Sequence, residues 1–278
     1  MGVTLQTKEN RLDFLVQGER FATYQYGAER VPGFTCLMAP GERRITELEP
    51  RSEMGLWLAH GNVNGVAFGR EEENASLQEQ GRIVSTDLMV RRGTFSAGFQ
   101  QTCAWLDSEK RCHLTDVRTI RMQPGPGTGR TLDWTITLQA PKERAVLFGR
   151  TEAAFLQMQV ASSLRPSGGG QLRNSLGEYG AETMNGRSAA WCAGVGVVAG
   201  ETVGFAFLEH PTNPWYPTPW RTTSEGLLSP SPFVWRQESL APRETLTLRY
   251  RLLIHQGYVE MGWATERLQE FAHDPSPG

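Results

Sequence analysis

Long apolar runs are missing from this sequence. The best stretch, residues 189–200 (AAWCAGVGVVAG), is short and glycine-rich, whereas a bilayer core needs about 20 apolar residues in helical form. A basic stripe is missing too. Twenty-eight Lys and Arg balance 30 Asp and Glu, and basic clusters go no further than pairs such as Arg91-Arg92. Proteins that hold nucleic acid concentrate positive charge on one face, so no nucleic-acid partner is expected. The opening residues MGVTLQTKEN lack the basic-then-apolar layout of a secretory signal. Gly2 is not followed by serine or threonine at the myristoylation position either. The expected setting is cytoplasmic, with no membrane partner.

Cysteine is scarce. Cys36, Cys103, Cys112 and Cys192 show no close paired spacing, which reads as free thiols in a reducing compartment. Cys103, Cys112 and His113 match no zinc-knuckle spacing, so no metal site is expected. Catalytic signatures are absent as well: no G-x-S-x-G elbow, no phosphate loop, no G-x-G-x-x-G after a strand, no H-E-x-x-H. A nucleotide-using enzyme is therefore disfavoured, and no cofactor is expected.

What is present is alternation. Phe95, Ala97, Phe99, Gln101, Cys103 and Trp105 share one face of an extended segment, as do Leu132, Trp134, Ile136 and Leu138, and Leu246, Leu248, Tyr250, Leu252 and Ile254. Period two is the mark of a strand with one buried side. Shorter runs at 12–17, 21–26, 82–90, 117–122, 155–160 and 203–208 read as further strands, with turns at 124–127 and 166–170. Many strands and few helices predict an all-β fold, a large antiparallel β-sandwich of supersandwich type. One helix is expected over 259–273, where Met261, Ala264, Leu268 and Phe271 recur at three- and four-residue steps. A chain of 278 residues can bury a sizeable core as one domain. The reading is a single domain over 1–273 and a flexible tail over 274–278.

Three loops gather the residues suited to chemistry, because reactive groups tend to ride on loops held by a rigid scaffold. Residues 54–69 (MGLWLAHGNVNGVAFG) place His60 among glycines and asparagines, with Trp57, Asn62 and Asn64 beside it. Imidazole titrates near neutral pH, which suits proton transfer. A loop histidine held by backbone groups is the plain alternative. Residues 174–191 carry Glu182 and Arg187 around Asn185-Gly186, a hairpin signal of type I′. They read either as a surface ion pair or as an acid/base with its holder. Residues 209–233 (EHPTNPWYPTPWRTTSEGLLSPSPF) combine His210, Asn213, Trp215, Tyr216, Trp220 and Arg221 with many prolines. Exposed Trp215, Tyr216 and Trp220 would suit the C–H face of a sugar; filling a satellite core is the alternative.

Several stretches carry a family resemblance: GLWLAHGNVNGVAF (55–68), TDVRTIRM (115–122), LDWTITLQA (132–140), VLFGRTE (146–152), NSLGEYGAE (174–182) and HPTNPWYPTPW (210–220). Together they resemble the PmoA-like family, soluble bacterial proteins labelled methane oxygenase. The resemblance implies a β-sandwich related to the sugar-binding supersandwich of aldose mutarotases, with a role in carbohydrate breakdown. His60, Asn64, Arg118, Glu182, His210, Asn213 and Trp220 fall on positions that the family pattern keeps. The family's histidine-rich segment ahead of G-L-W reads here Glu49-Pro50-Arg51-Ser52-Glu53-Met54, and Arg221 and Thr223 stand where histidine and arginine are usual. Without spanning helices or clustered imidazoles, oxygenase chemistry is not expected.

The function these readings predict is a metal-independent acid/base enzyme of isomerase, epimerase or lyase type. Its substrate would be a sugar or another polyhydroxylated small molecule. His60, His210 and Glu182 would move protons. Trp57, Asn62, Asn64, Arg118, Arg187, Asn213, Tyr216, Trp220 and Arg221 would hold substrate. Two alternatives stand beside it: a cyclase or isomerase tailoring a non-sugar scaffold in a biosynthetic pathway, and a non-catalytic carbohydrate-binding module.

Overall fold

Apolar–polar alternation builds most of the molecule, and it does so in two sheets. The computed structural model describes residues 2–27, 31–50, 52–68, 79–151 and 155–274. Strands β1 (Val3–Lys8), β2 (Arg11–Val16), β3 (Glu19–Gln25), β4 (Gly33–Ala39) and β5 (Arg43–Arg44) come first, then β6 (Leu56–Leu58), β7 (His60–Val63) and β8 (Val66–Phe68). The long strands β9 (Glu79–Arg92), β10 (Ala97–Leu106), β11 (Cys112–Pro124) and β12 (Arg130–Gln139) follow. Next come β13 (Val146–Phe148), β14 (Leu156–Gln159), β15 (Gln171–Asn174) and a single helical turn, α1 (Ala181–Met184). The remainder is β16 (Trp191–Val198), β17 (Glu201–Glu209), β18 (Trp220–Thr222), β19 (Leu227–Pro230), β20 (Glu238–Leu240), β21 (Thr245–Gln256) and α2 (Met261–His273).

The smaller sheet runs β1-β2-β3-β4-β6-β14-β19-β18, with β5 on β4; the larger runs β15-β16-β17-β21-β12-β11-β10-β9-β8-β7-β13-β20. Among the described residues all strand pairings but one are antiparallel, the exception being β8 with β9. The expected all-β sandwich with one long helix is the architecture observed. β21 sits between β17 and β12 and joins two parts of the larger sheet that do not otherwise touch along their edges.

The core lies between the sheets. Phe34 of the smaller sheet meets Trp134 of the larger edge-on, ring centres 5.7 Å apart, and Phe14 meets Phe99 at 6.3 Å. Such pairs add roughly 0.5–1.5 kcal/mol beyond burial. Two buried arginines tie the sheets together. Arg130 of β12 donates to the Arg20 and Met38 carbonyls at 2.7 and 2.9 Å. Arg118 of β11 donates to the Pro32 carbonyl at 2.8 Å.

The helix α2 lies on the outer face of the larger sheet, burying Ala264, Leu268 and Phe271 against Trp191, Ala206, Leu208 and Leu253. Asp274 pairs with Arg251, and its carbonyl accepts from Arg249 at 3.1 Å. Residue 274, which the sequence assigns to a flexible tail, is thus held by two cations; 275–278 lie outside the described residues. No helix among the described residues is long and apolar enough to cross a membrane.

The type I′ turn also falls elsewhere than the sequence places it. Asn64 and Gly65 both have positive φ (53° and 84°) and join β7 to β8, as a two-residue hairpin needs. At 185–186 only Gly186 has positive φ (76°), Asn185 has φ −62° and ψ 125°, and the Arg187 amide bonds back to the Met184 carbonyl. That is a type II turn closing α1.

Candidate functional site

The two imidazoles singled out by sequence face different layers. His60 is buried, its ring 5.4 Å from Phe148 and 4.9 Å from Phe233, both members of the inter-sheet core. Its Nδ1 accepts the Asn62 amide at 2.9 Å, and its Nε2 has no partner among the described residues. Burial draws its pKa down to about 3. His210 follows the last residue of β17 and is buried under α2, edge-on to Phe271 at 4.7 Å. Its Nδ1 takes the Thr212 amide at 3.1 Å, and its Nε2 lies 3.1 Å from the Phe271 carbonyl and 2.9 Å from Arg249 Nη1. Burial, and then Arg249, lower its pKa to about 4. Both rings are neutral near pH 7, and they lie on opposite faces of the larger sheet. They share no hollow. His210 is held by backbone and guanidinium groups, leaving it no ring nitrogen for substrate.

The residue before His210 faces the other way, because successive side chains on a strand alternate. Glu209 is fully buried on the inner face of β17. Its Oε2 accepts the Thr218 amide at 2.8 Å and the Thr218 hydroxyl at 3.1 Å; its Oε1 faces Asn213 Nδ2 at 3.5 Å. Burial pushes its pKa up to about 7, against the pull of those donors. Glu209 pairs in register with Tyr250 of β21, and Tyr250 with Trp134 of β12. Cross-strand partners project to one face, so the three form a row across the inner surface. The Tyr250 hydroxyl and the Trp134 indole N–H are buried with no hydrogen-bond partner among the described residues. Burial raises the Tyr250 pKa well above its ordinary value, with the Glu209 charge adding to it.

The three loops do converge, though without bringing His60 and His210 together. Phe233 packs on His60 from the first loop and on Trp215 from the third, ring centres 6.0 Å apart in the latter pair. The second and third loops pair through backbone: the Gly186 amide donates to the Trp220 carbonyl at 2.8 Å and the Trp220 amide to the Arg187 carbonyl at 3.0 Å. Trp220 is not the exposed platform expected from sequence. It is buried against Phe207, its indole N–H bonded to the Ala189 carbonyl at 2.7 Å. Trp215 and Tyr216 are half-buried, and Arg236 lies over the Trp215 ring at 5.1 Å. Trp235 is the exposed indole of this region, at 60%. A Cβ on Gly186 would sit 3.2 Å from it. Sequence reading passed over Trp235 because it follows the proline-rich stretch.

The other candidates are placed as follows. Glu182 is exposed on α1, and Arg187 pairs with Glu178 at 2.9 Å, not with Glu182. Arg221 is half-buried on β18. Trp57 is buried in a small cluster with Met54, Ala59 and Leu227. Asn62 and Asn64 serve the turns: Asn62 Oδ1 accepts the Gly65 amide at 3.0 Å and Asn64 Oδ1 the Leu147 amide at 2.7 Å. Asn213 mimics a strand partner, bonding both the carbonyl and the amide of Arg249, at 3.0 and 2.7 Å. Arg118 is wholly buried in an ion pair with Asp116 at 2.7 Å. Among the described residues no three His, Cys, Asp or Glu side chains gather as a metal site would require.

Fold and site together define a large antiparallel β-sandwich with a buried carboxylic acid on the inner face of its larger sheet. The chain belongs to the family of unknown function DUF6807, whose model matches residues 11–269. No curated protein matches it. Among solved structures it is similar to a putative kojibiose phosphorylase from human microbiome, at 8% identity and a TM-score of 0.41. The similarity covers 98% of this chain and 36% of that one, so the chain spans about a third of that protein's length.

Proposed function

We propose that the chain is an acid/base enzyme of isomerase, epimerase or lyase type acting on a polyhydroxylated small molecule, with Glu209 as its proton carrier. The observation that carries this reading is a carboxyl group buried inside the sandwich, bonded to Thr218 and Asn213 of the loop that covers it. Its pKa of about 7 supports the reading, since a group titrating near working pH takes a proton in one step and returns it in the next. Glu209 therefore takes the role expected of His60 and His210, whose lowered pKa values make their neutral rings weak bases near pH 7. Because Glu209 is fully buried, the reading requires the segment 211–219 to part from the carboxyl and break the Thr218 and Asn213 contacts. The PmoA-like resemblance and its link to carbohydrate breakdown belong to this reading as support for the substrate class.

The test is proton exchange with solvent. Wild type, Glu209→Gln and His60→Gln are incubated in deuterium oxide with a panel of aldoses and ketoses, and deuterium incorporation at carbon is followed by NMR. Glu209→Gln is expected to slow exchange about 10²–10⁴-fold, the contribution of one positioned acid or base. His60→Gln should retain exchange. Wild-type rates in Glu209→Gln, or no exchange by wild type on any sugar of the panel, would overturn the proposal.

A further inference from the structure

We infer that the Tyr250 hydroxyl and the Trp134 indole N–H are ligand-binding donors, gripping two acceptor oxygens of the molecule whose proton Glu209 moves. This rests on the reading of Glu209 given above and adds how the ligand is held. The first observation is position. Glu209, Tyr250 and Trp134 are consecutive cross-strand partners on β17, β21 and β12, so their side chains stand side by side on one face. The second is isolation: both donors are fully buried and have no acceptor among the described residues. A buried donor left without a partner is costly, and folded proteins almost always satisfy such groups. Two orphans in neighbouring register positions, next to a buried acid, mark a place where the acceptor comes from a bound molecule.

The contrast with neighbouring residues sharpens the point. On the inner-face rows that follow along β10 and β11 these polar groups are satisfied internally: Gln101 takes the Tyr24 hydroxyl and donates to Ser85 at 2.8 Å, and Asp116 accepts Trp105 Nε1 at 2.6 Å. The Trp220 indole finds the Ala189 carbonyl. Tyr250 and Trp134 are donors beside Glu209 that no described residue serves. The indole N–H can only donate, and the Tyr250 phenol, which keeps its proton, has an O–H to donate as well. The ligand they recognise must present oxygens as acceptors, carbonyl or hydroxyl, which a polyhydroxylated compound supplies. An apolar ligand would leave both donors unpaired and is selected against.

The experiment uses Tyr250→Phe, which removes one oxygen and keeps the ring, with Trp134→Phe as a second variant and Glu209→Gln as reference. Each purified full-length protein is titrated by calorimetry with d-glucose, d-fructose and d-glucono-1,5-lactone, and its thermal unfolding is recorded. Because the Tyr250 hydroxyl has no partner among the described residues, Tyr250→Phe should unfold at or above the wild-type temperature. It should nevertheless bind the preferred compound about tenfold more weakly, the scale of one lost hydrogen bond. Trp134→Phe should weaken binding similarly, while Glu209→Gln keeps affinity and loses exchange. Unchanged affinity in Tyr250→Phe would overturn the inference, and reduced stability alongside it would assign the hydroxyl to an internal structural role. Binding of none of the three compounds by wild type would overturn it as well. Exchange that persists in Glu209→Gln would refute the acid's role alone, leaving the donor pair to stand or fall on its own titrations.

Discussion

Replacing Arg118 provides a direct test of how the interior is held. Its Nε and Nη2 lie 2.7 and 3.1 Å from the two Asp116 oxygens, and Nη1 reaches the Pro32 carbonyl at 2.8 Å and the Tyr24 hydroxyl at 3.4 Å. Arg118→Met would leave the Asp116 carboxylate buried with the Trp105 indole as its remaining partner (2.6 Å), and the Pro32 carbonyl without this donor. Breaking a buried ion pair costs roughly 3–5 kcal/mol, and an orphaned carbonyl about 1–3 more, though the two overlap. A loss of about 4 kcal/mol is expected, which lowers Tm by about 8–16 °C for a domain of this size. Urea unfolding followed by tryptophan fluorescence measures it. The double variant Asp116→Asn, Arg118→Met removes the stranded charge and should recover most of the loss, because well-packed apolar groups can replace a buried pair at little cost. A single-variant cost below about 1 kcal/mol, or a double variant worse than the single, would refute the reasoning. Had Arg118 been a substrate ligand, as the sequence had it, the substitution would cut affinity and spare stability.

The pH dependence of stability should separate Glu209 from the histidines. Glu209 is raised to about 7 from 4.5, so its contribution is fully present below pH 4.5 and lost as pH rises through 7. His60 and His210 are lowered from 6.5 to about 3 and 4, so theirs is present above pH 6.5 and lost on acidification. Glu209→Gln should therefore make stability rise more steeply with pH between 4.5 and 6.5, by about 1.4 kcal/mol per pH unit; chemical denaturation at several pH values reads this, and an unchanged slope counts against the buried acid. Gly98→Ala would put a Cβ 2.0 Å from the Ile120 carbonyl on the paired strand, costing about 1–3 kcal/mol in urea unfolding. Trp235→Ala, at an exposed position, should change stability by less than about 0.5 kcal/mol in urea unfolding.

The long strands were legible because their period is strict. Leu132–Leu138 and Leu246–Ile254 alternate without a break and became β12 and β21. The helix at Met261–His273 was legible for the same reason at its own period. Short strands such as β6, β7 and β8, of three or four residues, are too brief for any pattern, and β16 was hidden by its glycines, which pack closely on neighbours; a Cβ on Gly194 would meet the Phe205 ring at 2.4 Å. The site was less legible. Residue type drew attention to His60 and His210, but what decides their behaviour is which face each takes and what already occupies its nitrogens. At the end of β17, alternation sends Glu209 inward and His210 outward, and the hydrophobic run Phe205, Phe207 was the available clue that the odd positions face the core. The registers that bring Tyr250 and Trp134 beside Glu209 link segments more than 40 and 100 residues apart in number, and no local pattern encodes them.

The placement of β21 has a bearing on how the protein comes together in time. The blocks on either side of it, β15 to β17 and β9 to β12, each end in an open edge until residues 245–256 slide between them. Before that insertion both edges offer unpaired amides and carbonyls to any passing strand, a setting that favours association between chains. Glu209 and Trp134 stand on opposite banks of the gap, with Tyr250 on the strand that fills it. Closure of the sheet and the meeting of Glu209, Tyr250 and Trp134 therefore arrive in one event, and a chain caught halfway keeps both edges open.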